Sequence, residues 1–400
     1  MAVTLHETPS ANRIHIGFYG KRNSGKSSLL NAFAGQEVSI VSQEAGTTTD
    51  PVNKPMEIHG LGACVLMDTA GFDDVGELGE SRIGKTKKAA ERTDIALILC
   101  GDGSLDEEEV WYRRFRESHT PVIFVISKAD VRENIEGLSV LIKERFGEEA
   151  VVVSAKDGGG LEQLKERMLR ALPEDYAQRS ITGDLAKAGD TVLLVMPQDI
   201  QAPKGRLILP QVQTIRELLD KKCLVMSVTT DGLDDALAAL SKAPKLIITD
   251  SQVFRTVYEK KPQESILTSF SALFAAQKGD IEYYRQSAEA IGALTENSRV
   301  LVAECCTHAP LAEDIGRVKL PRMLRQKYGE GMDIEIVSGT DFPEDLSGYD
   351  LIIQCGACMF NRKYVFARIG RAKRQGIPMT NYGVAIAYLT GILDQISYVK

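Results

Sequence analysis

Two groups of residues in this chain have the types and spacing that chemistry needs. The first is GKRNSGKS, Gly20 to Ser27, which follows the run RIHIGFYG and leads into SLLNAFAG, a stretch of helical spacing that closes on Gly35. Strand, glycine-rich loop and helix together form the context of a phosphate-binding loop. Gly20 would open such a loop, the backbone N–H groups of Asn23, Ser24, Gly25, Lys26 and Ser27 would wrap the phosphates, and Ser28 would sit in the first helical turn. Lys26 would meet the β and γ oxygens and Ser27 would ligate Mg²⁺.

The second group is made of thiols. SRVLVAECCTHAP runs from a strand-like stretch, Arg299 to Glu304, into Cys305, Cys306 and His308, and LIIQCGAC runs from another into Cys355 and Cys358. Open α/β sheets gather ligands outside the carboxyl ends of their strands, so neighbouring strands would bring Cys306, Cys355 and Cys358 to one mouth. With His308 these three could close a zinc tetrahedron. Three thiolates could equally hold a cubane iron–sulfur cluster, leaving one iron for a labile ligand. A thioredoxin-like couple accounts for the Cys-x-x-Cys but not for the Cys-x-His on the other strand. Residue chemistry leaves zinc and cluster evenly open. If the first strand continues, two-residue alternation points Cys305 to the face opposite Cys306.

More motifs follow the first loop in order. GTTTD, Gly46 to Asp50, offers a loop threonine; VLMDTAG, Val65 to Gly71, is a strand ending in an aspartate and a glycine. VIFVISKAD, Val122 to Asp130, ends in a base-reading signature, and VVVSAKDGG presents Ser154, Ala155 and Lys156 behind another strand. From Arg13 to Leu172 the chain resembles the translation-factor-like GTPases, most closely the branch of TrmE and Era. The resemblance implies GTP and GDP as ligands, with Thr48 completing the Mg²⁺ shell, Asp68 holding it through water, and Asp130 pairing with guanine. A carboxylate can accept from both N–H groups of guanine, an edge that adenine lacks.

Two positions depart from the pattern. Ser127 stands where the family has asparagine before Lys128, Ala129 and Asp130, a shorter group that would weaken base affinity. Phe72 stands where Ras-like proteins carry a water-orienting glutamine. Catalysis then needs another group besides Lys26. Asn23 matches the asparagine that ligates K⁺ in TrmE-like GTPases, and a monovalent cation there would stabilise transition-state charge. Glu80, in GELGESRIG, stands one residue off the spacing of the water-positioning acid of TrmE.

The elements that must position these residues follow from length and pattern. A chain of 400 residues exceeds one core and implies two or three domains. It has 44% hydrophobic and 26% charged residues and a formal charge of −7, which describes a soluble protein and argues against a general phosphate-backbone binder. No apolar core suits a signal peptide and no segment suits a bilayer, so a cytoplasmic protein without membrane or nucleic-acid partners is expected. Seven cysteines in that setting point to metal or catalytic roles rather than disulfides. Cys64, Cys100 and Cys223 fall in apolar strands and read as core residues.

Alternating strand and helix patterns predict an α/β chain in three parts: a GTPase domain at 1–173, a small α/β unit at 185–269 for which a structural or dimerisation role fits best, and a thiol-bearing α/β unit at 270–400. Pro173 and the polar EDYAQRSITGDLAKAGD separate the first two. TVLLVMP, KCLVMSV and PKLIITD read as strands of the middle part, with LPQVQTIRELLD and GLDDALAALSK as its helices.

A K⁺-type GTPase, a middle unit, and an end unit with Cys-x-His far upstream of Cys-x-x-Cys resemble the [FeFe]-hydrogenase maturation GTPases over essentially the whole chain. EDIGRVKLPR and IPMTNYGVAIAYL are similar to that family's end domain. The resemblance implies a homodimer with a [4Fe-4S] cluster on Cys306, Cys355 and Cys358. It also implies transient carriage of a di-iron precursor from radical-SAM maturases to apo-hydrogenase. The family commonly has histidine immediately before its Cys-x-x-Cys, where this chain has Gln354; His308 is then the candidate fourth ligand. The competing expectations are an RNA- or ribosome-associated GTPase and a nucleotide-regulated zinc or thiol redox protein.

Overall fold

The computed structural model describes residues 8–36, 52–72, 77–101, 104–172, 180–197, 207–305 and 314–399. It divides into two compact units, Met1–Ala177 and Gln178–Lys400. Among the described residues, no helix is long and apolar enough to cross a membrane.

The first unit is built on a six-stranded sheet of β1 Ile14–Gly20, β2 Val52–Ile58, β3 Gly62–Asp68, β4 Ile95–Cys100, β5 Val122–Ile126 and β6 Val151–Val152. Its order is β2-β3-β1-β4-β5-β6, with β2 antiparallel to β3 and the other pairs parallel. Central strands covered on both faces read as continuous apolar runs, and IALILC of β4 is buried throughout. Helices α1 Lys26–Gln36, α2 Glu77–Ala90, α3 Asp106–Glu117, α4 Ile135–Phe146 and α5 Leu161–Ala171 complete the unit. Because β1 lies between β3 and β4, their carboxyl ends open at a topological switch point, where α/β sheets take their ligands.

The second unit holds two four-stranded, all-parallel sheets. One has the order β10-β9-β7-β8, from β7 Thr191–Val195, β8 Leu224–Val228, β9 Leu246–Thr249 and β10 Ile266–Ser269. The other has the order β12-β11-β13-β14, from β11 Arg299–Ala303, β12 Asp333–Val337, β13 Leu351–Gln354 and β14 Met379–Asn381. Helices α6 Leu209–Asp220, α7 Leu233–Ala239, α8 Phe254–Lys260, α9 Phe270–Lys278, α10 Ile281–Ala288, α11 Leu320–Tyr328, α12 Arg362–Gln375 and α13 Tyr382–Leu389 are interspersed with the strands, α9 and α10 running consecutively. One continuous apolar core runs from Leu193 and Ile247 of the first sheet to Leu301 and Ile352 of the second. Caps set the helices that matter below. The Ser269 side chain accepts from the Ala272 N–H at the start of α9, and Asn361 accepts from Tyr364 at the start of α12. Gly376 then ends α12 in the left-handed conformation.

Candidate functional site

The phosphate loop turns directly off the end of β1. Gly20 has φ +150°, and a Cβ there would stand 2.6 Å from the Leu99 carbonyl oxygen, so the β1–β4 approach needs glycine. Asn23 and Gly25 also carry positive φ, 60° and 91°, and Asn is the side chain that best tolerates it. The loop then enters α1, whose first residue is Lys26. The Lys26 ammonium donates to the Gly20 and Lys21 carbonyls, at 3.0 and 2.7 Å. Ser27 donates to Asp68 Oδ2 at 2.5 Å, while Asp68 Oδ1 and the Ser24 hydroxyl are buried without a hydrogen-bond partner among the described residues. The Ser27 hydroxyl and the Asp68 carboxylate at the end of β3, one of whose oxygens is orphaned, form a hard-oxygen set suited to Mg²⁺.

The base-reading segment meets the same loop. Ser127 is buried, and its hydroxyl donates to the Ser24 carbonyl at 2.5 Å, so this short side chain ties the end of β5 to the phosphate loop. Lys128, with φ 59°, is exposed beside Asp130, and Asp130 Oδ1 accepts from the Ser154 hydroxyl at 3.2 Å. Ala155 and Lys156 follow Ser154 in the next turn. Gly71 is buried, and the Phe72 N–H donates to the Gly20 carbonyl at 3.3 Å. The Phe72 ring packs inward, stacked on Trp111 at 5.0 Å between centroids; it is a core contact. Thr48 lies outside the described residues. Glu80 falls on α2, and its side chain is likewise outside them.

The thiols are positioned by two adjacent strands. β11 pairs in parallel with β13, Ala303 opposite Gln354, and the Cys355 N–H continues the ladder to the Ala303 carbonyl at 3.0 Å. Cys355 therefore stands at the carboxyl end of β11. Cys306 and His308, expected at the same mouth, lie outside the described residues. Cys355 and Cys358 are half-buried, joined by a turn in which Ala357 takes φ 51°.

β11 stops at Ala303, so the continued strand on which the opposite-face expectation for Cys305 depended is not formed, and Cys306, the residue it was set against, lies outside the described residues. Cys305 is buried, with its N–H donating to Cys355 Sγ at 3.1 Å. Its thiol contact holds the Cys355 thiol below the ordinary range against opposing burial, and the Ala357 N–H adds to this. Burial pushes the Cys305 thiol well up.

Two cations converge on the same place. Lys278, at the end of α9, donates to the carbonyls of Ala357, Cys358 and Phe360 at 3.1, 3.4 and 3.1 Å. Burial pulls its ammonium down, and the neighbouring Cys358, Cys305 and Cys355 oppose that. Arg368 of α12 donates to Cys305 Sγ at 3.7 Å and to the Gly339 carbonyl at 2.5 Å. Gln354 Oε1, Arg368 Nε and the hydroxyls of Tyr284 and Tyr382 are buried without a hydrogen-bond partner among the described residues. Burial raises both tyrosines first, and Cys355 and Cys305 raise them further. Soft thiols, buried cations and orphaned polar atoms around one strand end fit an anionic, thiolate-held metal group. Among the described residues alone, no set of three or more His, Cys, Asp or Glu stands in metal-ligating geometry.

Sequence reasoning passed over Lys278 and Arg368, although both carried a signal. Arg368 falls on the buried stripe Tyr364, Val365, Ile369 and Ala372 of α12, and Lys278 on the stripe Phe270, Leu273 and Phe274 of α9. A charge on an apolar stripe is the observation to ask about. The other thiols behave as core residues. Cys64 and Cys100 are fully buried in β3 and β4, and Cys223 is buried with its Sγ 3.2 Å from the Lys187 carbonyl.

Comparison with known proteins separates the two units. Residues 15–128 match the family model described as 50S ribosome-binding GTPase. GTPase Der of Wolinella succinogenes is 37% identical over 193 residues, 46% of this chain and 40% of that protein. The tRNA modification GTPase MnmE of Laribacter hongkongensis is 36% identical over 163 residues, 40% of this chain and 35% of that protein. The chain thus spans less than half the length of these curated relatives. The crystal structure of Aquifex aeolicus Era superposes with a TM-score of 0.34 at 23% identity, covering 54% of this chain and 92% of that one. The second unit is more particular. Residues 181–279 match the hydrogen maturase F dimerization domain and residues 282–397 the hydrogen maturase F tetramerization domain. The two maturase models together take in more than half of this chain, which belongs to the hydrogen maturase F (HydF) family of GTPases.

Proposed function

We propose that this protein is a GTP-hydrolysing scaffold that binds a [4Fe-4S] cluster and carries a di-iron precursor to apo-[FeFe]-hydrogenase. The observation that carries the reading is the thiol site at the joined ends of β11 and β13, inside the tetramerization match. Cys355 and Cys358, with Cys306 and with His308 as the candidate fourth ligand, would hold the cluster, which supplies an iron position open to an incoming ligand. Radical-SAM maturases as donors of the di-iron cargo, and the apo-hydrogenase as its acceptor, belong to the same proposal. So do self-association through the second unit and a cytoplasmic setting.

In the first unit Lys26 would neutralise the β and γ phosphates, Ser27, Asp68 and Thr48 would hold Mg²⁺, and Asp130 would select guanine. Lys128, Ser154, Ala155 and Lys156 would line the base. Asn23 would take K⁺, leaving Phe72 to its packing role and Glu80 as a further candidate on α2. Loops ordered by the γ-phosphate and released after hydrolysis would switch partner binding.

Iron and sulfide analysis of anaerobically purified and reconstituted protein tests the reading. Iron and sulfide in equal amounts, lost in Cys355→Ala and Cys358→Ala, are the expected result. Stoichiometric zinc without iron uptake would reject it for a zinc or thiol protein. RNA retained through purification in iron-free protein would favour the RNA-associated reading, which draws on the GTPase half alone.

A further inference from the structure

Among the described residues, Lys278 and Arg368 are buried charges without a counter-charge. Arg368 is 1% exposed, and an arginine side chain does not lose its proton inside a protein. Its guanidinium lies among the rings of Phe342, Tyr364 and Phe360, 4.9, 4.8 and 5.5 Å from their centroids. Lys278 is 5% exposed, with the Phe274 ring on one side. Among the described residues no carboxylate pairs with either side chain; Arg368 meets the Cys305 thiol at 3.7 Å, and Lys278 holds the Cys358 carbonyl at 3.4 Å beside the thiols. Backbone carbonyls satisfy the donors of Lys278 but carry no net charge. A buried cation is expensive to keep unless an anion compensates it. Two of them flanking three thiols therefore call for a negative group at the thiols. Three thiolates around a zinc ion or around an oxidised cubane both leave a net negative group, but only the cluster gains further negative charge on reduction.

Resting on the cluster reading above, we propose that Lys278 and Arg368 are the built-in counter-ions of the thiolate-held cluster and set its reduction potential. Reduction adds one negative charge to the group, so each nearby cation favours the reduced form. Lys278 has a second part in this. It ends α9 within the dimerization match, and its three hydrogen bonds grip the 357–360 loop of the tetramerization match. Arg362 reinforces the grip by donating to the Gln277 carbonyl at 3.1 Å. The charge balance of the cluster is thereby tied to the seating of one maturase domain on the other.

The test uses the full chain, reconstituted anaerobically, as parent, Lys278→Gln, Arg368→Gln and Arg368→Lys. Glutamine keeps an N–H donor for the carbonyls while removing the charge, and lysine at 368 keeps the charge. Iron and sulfide per chain are measured first, then the midpoint potential by EPR-monitored redox titration. Both glutamine variants should lower the reduced-to-oxidised ratio at a fixed poise at least tenfold, about 59 mV for a one-electron couple. Arg368→Lys should stay near the parent. Loaded glutamine variants with the parental midpoint would overturn the inference and leave the cluster reading standing. If Arg368→Gln takes up no iron, Arg368→Lys decides: iron regained there supports the charge, and iron still absent overturns it. A parent without iron rejects the cluster reading itself.

Discussion

Replacing Gly20 by alanine separates the conformation of the phosphate loop from the side chains it presents. At φ +150°, the added Cβ would stand 2.6 Å from the Leu99 carbonyl oxygen and 2.7 Å from the Ser24 hydroxyl. The first of these is backbone held by the β1–β4 ladder, in which Gly20 lies opposite Leu99, so it has little room to yield. A non-glycine residue in such a sparsely populated region costs about 1–3 kcal/mol. The loop relieves that strain only by leaving the conformation that aims the Asn23–Ser27 N–H groups at one point. Restoring it on binding then costs the same amount, and at 1.4 kcal/mol per factor of ten the apparent Kd for GDP rises about 5- to 150-fold. Gly35→Ala is the matched control: nothing lies within 4 Å of a Cβ there, and alanine in α1 gains about 1 kcal/mol of helix propensity. Titration of the full chain with a fluorescent GDP analogue and Mg²⁺, with circular dichroism to check folding, reads both. A folded Gly20→Ala protein with the parental Kd would refute the reasoning.

Three further outcomes are expected. GTP hydrolysis should be faster in K⁺ than in Na⁺ at equal ionic strength, and Asn23→Ala should abolish the difference; equal rates in the parent would remove the K⁺ role. Lowering the pH should destabilise the second unit through Glu217. Burial pushes this carboxyl up, but the N–H groups of Ile181 and Thr182 and the hydroxyls of Thr182 and Ser180 outweigh it and hold the carboxyl below the usual range. Its stabilisation is present above the unfolded carboxylate pKa of about 4.3 and is lost as pH falls through the lower folded value. Tm measured against pH should drop less steeply in Glu217→Gln than in the parent, and parallel curves would count against it. Gln354 is buried with its Oε1 unpartnered, so Gln354→His should place an imidazole beside the thiols. A new nitrogen coupling should then appear in pulsed EPR of the reconstituted protein, and an unchanged spectrum would contradict that placement.

How much could be read beforehand depended on whether the information was local. GKRNSGKS carries its conformation locally: glycine and asparagine permit the positive φ at positions 20, 23 and 25, where the loop runs from a strand into a helix. Apolar runs such as VIFVI and LIIQ declare buried parallel strands in the same way, and the strands of the middle part lie where their apolar segments put them. Register and long-range pairing were another matter. Residues Arg299 to Glu304 suggested a strand, but its end at Ala303, and with it the burial of Cys305, depends on what the chain meets at β13 some fifty residues on. Phe72 was read for what it cannot do, and only packing against Trp111 showed its own task. Ser127 looked like a shortened asparagine until the sheet brought the Ser24 carbonyl within its reach. Lys278 and Arg368 stand on different helices, 90 residues apart, and neither forms part of a motif. An apolar stripe tells which face of a helix is buried but not what it is buried against. The thiols that give those two cations a purpose come from strands that are brought beside them only when the sheet closes.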